Sequence, residues 1–348
     1  MLEATVCLDC GSEIAPALLV CPGCGRLVHA ARLKQLAEEA ARAAAPTEAL
    51  VAWRSALELL PPRTRQREVI EAKIAELGRQ VDASPTPARP AAPAKGSPRM
   101  AGAAGLGAVG LLAWKFKAIA LLVLTKGKLL LLGLTKASTF TSMALSLGVY
   151  GSVFGWPLAL GLVVSIYIHE MGHVAALLRY GVKATAPLFL PGIGAVIRLR
   201  QSLGDPRQDA RVGLAGPVWG LGAAGASALV WVAGGPPIWA AIARLGAALN
   251  LFNLIPIGTL DGGRAFRALD RTQRWLAILA IAGAWSLSTD PFAGMVLFLG
   301  LLAGFVAATA GRAAPRPDPV ALVTYTALAF TLTFLAGIDV PDLPRAGG

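Results

Sequence analysis

His169-Glu170-Met171-Gly172-His173 places two imidazoles four residues apart, with a carboxylate beside the first. On an α-helix, positions i and i+4 stand one above the other, so both rings can reach one metal ion. A glutamate next to the first ligand can reach water on that ion and take its proton. Zinc lowers the pKa of such water toward about 7, which makes a nucleophile available at neutral pH. As a bare pattern these five residues arise by chance, but the chain has only three histidines and two are here. His29, five residues after Cys24, is expected to be an ordinary surface histidine.

A catalytic zinc needs a third protein ligand and an open position. The stretch Asn250-Leu-Phe-Asn253-Leu-Ile-Pro256-Ile-Gly-Thr-Leu-Asp261-Gly262-Gly263-Arg264 offers Asp261. Taken alone, Asp261-Gly262-Gly263-Arg264 reads as a turn whose arginine answers lipid headgroups. Paired with the histidine motif, it reads as the source of the third ligand.

A second metal signal lies at the N-terminus. Cys7-x2-Cys10-x10-Cys21-x2-Cys24 holds all four cysteines of the chain, and Gly11 and Gly25 follow the two pairs. Two such knuckles can set four thiolates around one ion, usually zinc. Iron in a rubredoxin-like site is the alternative metal, and two disulfides are the alternative without one. Bound zinc would place this end in a reducing cytosol.

The surroundings of the histidines are apolar. The 348 residues are 55% hydrophobic and 15% charged, where soluble domains carry about 25% charged residues. Between Lys136 and Arg179 the only formally charged side chain is Glu170. Such a run, broken once by a carboxylate, reads as membrane helices around a functional group. The net charge of +12 is concentrated at the ends of apolar segments, as membrane orientation requires. No basic run interleaved with aromatics appears, so no nucleic-acid partner is expected. Met1–Cys10 lacks an apolar run, and no cleavable signal peptide is expected.

His169–His173 taken together with Asn253-x2-Pro256-x4-Asp261-Gly262 resembles the site-2 protease family of intramembrane zinc metalloproteases. Leu214-Ala215-Gly216-Pro217 is similar to a further feature of that family. The resemblance implies His169, His173 and Asp261 as ligands of a catalytic zinc, Glu170 as general base, and Asn253 as a substrate- or transition-state-binding residue. It covers roughly residues 137–271, with no inserted PDZ-like domain apparent. The cysteine ribbon is an extension outside it.

The elements that would position these residues follow from periodicity. The expected fold is an all-α polytopic membrane protein with about six or seven transmembrane helices, a small N-terminal zinc ribbon and a helical adaptor. Residues 1–28 are expected to form the ribbon and 29–82 a cytosolic adaptor, with helices over 30–45, 47–60 and 63–82. Residues 83–99, rich in Pro and Ala, read as a disordered linker. Residues 100–136 read as an interfacial segment whose Lys115, Lys117, Lys126, Lys128 and Lys136 snorkel to headgroups, with a span over 101–125 as the competing reading. The metalloprotease core is expected over 137–271, with further membrane helices and a tail over 272–348. Spans are expected near 138–155, 157–178, 212–233, 238–256, 275–289, 291–311 and 320–337.

The loops 179–211, 257–274 and 312–316 are rich in Arg, whereas Gly234–Pro237 and Asp290-Pro291 have no Lys or Arg. This alternation places the basic loops in the cytosol with the ribbon, in a bacterial inner or plasma membrane. The loop 182–199 is β-prone and apolar around Pro191-Gly192. It reads either as a membrane-dipping hairpin whose edge pairs with an unwound substrate or as a plain interfacial loop. Arg244 within a span is expected to reach the outer interface or a backbone carbonyl.

The function expected is zinc-dependent endopeptidase cleavage within or near transmembrane segments of membrane-anchored proteins in the lipid bilayer. A cytosolic protein partner is expected for the adaptor. The alternatives are a catalytically inactive membrane adaptor and a zinc-binding sensor or transporter. Glu170 at the base position argues against the sensor or transporter, and the intact constellation of His169, Glu170, His173 and Asp261 argues against the inactive adaptor.

Overall fold

The computed structural model describes residues 5–83 apart from 8, 16 and 17, and residues 137–341 apart from 183–186, 191–193, 197–202, 204, 311–312 and 315–316. The linker expected over 83–99 (except Ala83) and the basic segment 100–136 lie outside the described residues.

The N-terminal ribbon pairs β1 (Thr5–Val6) with β2 (Glu13–Ile14) antiparallel, and an isolated bridge joins Val20 to Leu27. Both cysteine pairs sit in the same kind of turn. Gly11 N–H donates to Cys7 O and Gly25 N–H to Cys21 O, each at 2.9 Å. Gly11 and Gly25 have φ of 73° and 72°, a left-handed conformation that glycine adopts without steric cost. Each knuckle therefore curls its cysteines to one side.

Three helices follow: α1 (Ala30–Arg42), α2 (Pro46–Leu57) and α3 (Arg65–Ala83). The first ends earlier than residue 45. Ala45 precedes Pro46 and is extended, φ −124° and ψ 144°, because the proline ring disfavours helix at the preceding residue. Pro46 in turn opens α2, where its missing N–H costs nothing.

The apolar helices are α4 (Ala137–Phe154), α5 (Trp156–Arg179), α6 (Pro206–Val232), α7 (Ile238–Asn253), α9 (Arg271–Ser286), α10 (Pro291–Ala310) and α11 (Pro319–Ala336), with the short α8 (Asp261–Arg267) between α7 and α9. The fold is the expected helical polytopic membrane architecture. Among the described residues four helices, α5, α6, α10 and α11, are long and apolar enough to cross a bilayer, and α7 is a shorter apolar helix. Large apolar side chains such as Val232, Phe334 and Leu229 stand 70–81% exposed on them. Such outward rows suit a hydrocarbon solvent rather than water.

Helix α6 lies at the centre, packed against α5, α7, α8 and α11. The largest apolar cluster joins it to α7–α11 through Leu214, Leu251, Leu254, Phe266, Leu269, Ile281, Tyr325 and Leu332. Tyr325 Oη donates to Leu254 O at 2.6 Å, holding the end of α7. Asp318 caps α11 and accepts from both terminal nitrogens of Arg211 on α6 at 2.9 Å. Arg244 pairs with Asp290 in the turn before α10, a partner other than the backbone carbonyl also expected. A buried carboxylate at the start of α10 is the better partner for a cation among apolar helices.

The N-terminal helices pack directly on the membrane core. Leu50, Ile74 and Val81 bury against Leu177, Tyr180, Val182, Leu203 and Val212. Arg179 Nη2 donates to Val81 O at 2.7 Å, and Tyr180 Oη to Asp82 Oδ1 at 2.5 Å. Burial, and then this acceptor carboxylate, hold the Tyr180 phenol above its ordinary pKa, so it remains a donor.

Between α5 and α6, β3 (Leu188–Leu190) pairs antiparallel with β4 (Gly194–Val196), in the register Leu188–Val196, Phe189–Ala195 and Leu190–Gly194. The hairpin is anchored to α4: Thr139 Oγ1 donates to Pro187 O at 2.9 Å, and Phe189 N–H to Ser142 Oγ at 3.1 Å. Buried Phe189 stacks on Tyr167, two residues before His169.

Candidate metal centres

The two histidines and Asp261 come from elements far apart in sequence and meet at one point. His169 and His173 lie mid-way along α5, on the face turned to α6. That face can come close because α5 and α6 touch through glycines. A Cβ at Gly172 would strike Ala215 O, and one at Gly216 would overlap the Nε2 atoms of both histidines. Asp261 is the first residue of α8, where a negative charge suits the helix N-terminus.

Helix α8 is in turn clamped to α6. Asp209 Oδ1 accepts from Arg264 Nε at 3.0 Å and Nη2 at 2.8 Å, and Oδ2 from Arg267 Nη2 at 2.9 Å. Arg264 therefore answers Asp209, not headgroups. The forked guanidinium fixes the orientation of α8, and with it the direction of Asp261.

The donor atoms form a compact triangle. The two Nε2 atoms are 3.1 Å apart, Asp261 Oδ2 is 3.1 Å from that of His169, and Asp261 Oδ1 is 3.3 Å from that of His173. A tetrahedron with arms of about 2.0 Å has edges of about 3.3 Å, so these spacings suit three ligands of one zinc. The protonation pattern agrees. His173 Nδ1 is 2.8 Å from Val212 O, which can only accept, so that nitrogen carries the proton. His169 Nδ1 is 2.8 Å from Asn250 Oδ1, also an acceptor. Both Nε2 atoms then turn lone pairs toward each other and toward a carboxylate. Two imidazole nitrogens and a carboxylate converging in a buried site suit a cation between them.

Glu170 is buried beside this triangle, 7% exposed, with a carboxylate oxygen within 4.8 Å of the histidine donor atoms. Asn253 ends α7 half-buried, eight residues before Asp261. Asn250, one turn earlier, is the residue that sequence reasoning passed over. It lay inside the quoted motif, and its helical spacing from Asn253 was the available signal.

The four cysteines form a second cluster. Their Sγ atoms lie within 4.8 Å of one another, with Cys7–Cys24 at 3.8 Å and Cys10–Cys21 at 3.5 Å. All four are free thiols, so the disulfide alternative falls. Arms of about 2.3 Å give tetrahedral edges of about 3.8 Å, close to the observed spacings. Hydrogen bonding with Ser12, whose Oγ is 3.3 Å away, draws the Cys10 thiol down to about 6. His29 stands outside this cluster.

With the geometry described, similarity to known proteins can be placed on it. Residues 157–236 match the sequence model of Peptidase family M50; the match includes the histidine motif and ends before Asp261. A zinc metalloprotease of Methanocaldococcus jannaschii is 33% identical over 131 residues, 34% of this chain and 35% of that protein. Rip3 of Mycobacterium tuberculosis, assigned to the zinc metalloproteases by name, is 32% identical over 155 residues, 40% of this chain and 38% of its own. The chain thus spans little more than a third of the length of these curated relatives. No solved structure matches it significantly.

Proposed function

We propose that this chain, which carries a Peptidase family M50 segment, is a zinc-dependent metalloendopeptidase of the site-2 protease type. Its substrates are membrane-anchored proteins, cut within or near their transmembrane segments. The observation that carries the reading is the buried triangle of His169, His173 and Asp261 with Glu170 beside it, among predominantly apolar helices.

Zinc, when bound, supplies a Lewis acid that makes water a nucleophile near neutral pH and polarises a peptide carbonyl. The chain's own residues do the rest. His169, His173 and Asp261 would hold the ion. Glu170 takes the proton of the attacking water and can return it to the leaving amine. Its burial keeps that proton from exchanging freely with bulk solvent. Asn253, at the end of α7, binds the substrate's polar backbone near the ion. The four-cysteine cluster holds a second, structural zinc.

A transmembrane helix must unwind before its peptide bond can be reached, and the β3–β4 hairpin offers a place for the freed strand. Phe189 N–H on the outer side of β3 is taken by Ser142, so β4 supplies the edge to which an extended segment adds. The protein lies in a bacterial inner membrane, with the ribbon and α1–α3 in the cytosol, where the three helices form an adaptor for a protein partner.

Glu170→Gln tests the chemistry. It should lower cleavage of a membrane-anchored substrate by about 10²–10⁴-fold while the membrane site keeps its zinc. Wild-type turnover by this variant would remove the assignment. Loss of activity with retained metal also separates a protease from a zinc carrier, which has no need of a base.

A further inference from the structure

The ligand triangle leaves one question of orientation open. An imidazole can ligate through Nε2 only if the proton sits on Nδ1, and what holds it there decides how well the site binds. For His173 the main chain does this through Val212 O. For His169 the partner is a side chain, Asn250 on α7, 81 residues away in sequence.

The Asn250 carboxamide has its own orientation settled. Its Nδ2 donates to Gly246 O, one turn back on α7, at 2.7 Å. A carbonyl cannot accept from the amide oxygen, so the nitrogen must face Gly246 and the oxygen must face His169. Asn250 is 3% exposed, so water does not compete for either group. The neighbouring helix is recessed to admit it: a Cβ at Gly220 of α6 would overlap the Asn250 carboxamide. The same helix face is recessed one turn earlier, at Gly216, over the two imidazoles. One stripe of α6 thus makes room for the ligand pair and for the residue that orients it.

We propose that Asn250 is a positioning residue that holds His169 in the tautomer and ring orientation able to ligate a metal ion. It touches neither ion nor substrate and acts only through His169. The inference rests on reading His169, His173 and Asp261 as a metal centre.

The test uses full-length protein in detergent, loaded with Co²⁺ and titrated with a chelator. Ribbon cobalt has d–d bands of its own beside its thiolate charge-transfer bands, so all variants are made in a Cys7→Ser, Cys10→Ser background, in which the remaining d–d bands report the membrane centre alone. Asn250→Leu keeps the volume but offers no acceptor, and should weaken the membrane centre by about 10–100-fold with altered d–d bands. Asn250→Asp keeps an oxygen facing His169 and should bind at least as tightly as wild type. Melting of the metal-free proteins measures packing on its own. Equal weakening by both variants in proportion to lost stability would reduce Asn250 to a packing role and overturn the proposal. So would unchanged affinity in Asn250→Leu. His169→Ala separates the two levels: if it loses the membrane cobalt while Asn250→Leu does not, only the role of Asn250 fails. If His169→Ala keeps that cobalt, the metal-centre reading fails and the inference with it.

Discussion

Arg54, on the second N-terminal helix, donates through Nε to the main-chain carbonyl of Tyr180 at 2.8 Å, one residue beyond the helix that bears His169 and His173. Arg54 is 3% exposed, and the bond sits in the apolar cluster that includes Val212. Val212 O is the acceptor for His173 Nδ1. The N-terminal helices thus bear on the residue that orients His173.

Replacing Arg54 by Leu removes a charged donor from a buried carbonyl, which typically costs about 1.5–3 kcal/mol. The expected result is faster hydrogen exchange in α2, α3 and the end of α5, with the ribbon unaffected. Unchanged exchange at Tyr180–Val182 would show that the helices are not held at this point.

Asp209 should matter to the membrane metal although it is no ligand. Asp209→Ala frees α8 and should weaken metal binding by about tenfold or more, as loss of supporting contacts does at metal sites. The two arginines should differ. Arg264 makes two bonds to Asp209 with a side chain 14% exposed, whereas Arg267 makes one and is 50% exposed. A double-mutant cycle should give Asp209–Arg267 a coupling of about 0.2–1 kcal/mol and Asp209–Arg264 more. The reverse order would mean that Arg267 is the clamp.

The ribbon and membrane metals are expected to be separable. Changing Cys7 and Cys10 to Ser should release one equivalent and unfold the ribbon, whose apolar core among the described residues is Cys7, Ile14 and Cys21 with partly buried Val28. A core that small depends on its metal. Metal analysis of the purified variant should still find the second equivalent, and its loss would argue for one shared site.

Membrane orientation can be read from two single cysteines in a background lacking the native four. Helix α6 has 27 residues, about 40 Å, enough to cross about 30 Å of hydrocarbon. Asp209 at its start bonds to α8, so Thr272, soon after α8, belongs at that end and Ala233 at the other. In intact cells an impermeant thiol reagent should label Ala233→Cys and spare Thr272→Cys until lysis. Equal labelling of both before lysis would contradict a spanning α6 and the cytosolic placement of the Asp261 loop.

Much of the chemistry was legible in the chain because it is local. His169, Glu170 and His173 occupy one helix turn, and the cysteine knuckles are closed by turns of a few residues with a glycine after each pair. The apolar runs announced membrane helices for the same reason: length and composition need no knowledge of neighbours. Helix ends were less legible, since α1 stops at Arg42, where Ala43 turns extended (φ −61°, ψ 130°), although its helical periodicity runs on to residue 45.

What only the tertiary structure decided depends on residues brought together from distant segments. Arg244 finds Asp290, Arg264 finds Asp209, and His169 finds Asn250 across separations of 46, 55 and 81 residues. A sequence shows that a buried charge or an imidazole nitrogen needs a partner, but each has several chemically adequate ones along the chain. Close helix packing makes the choice: Gly216 and Gly220 remove the Cβ atoms that would keep the imidazoles and Asn250 away from α6, and the hydrogen bonds form where those recesses lie.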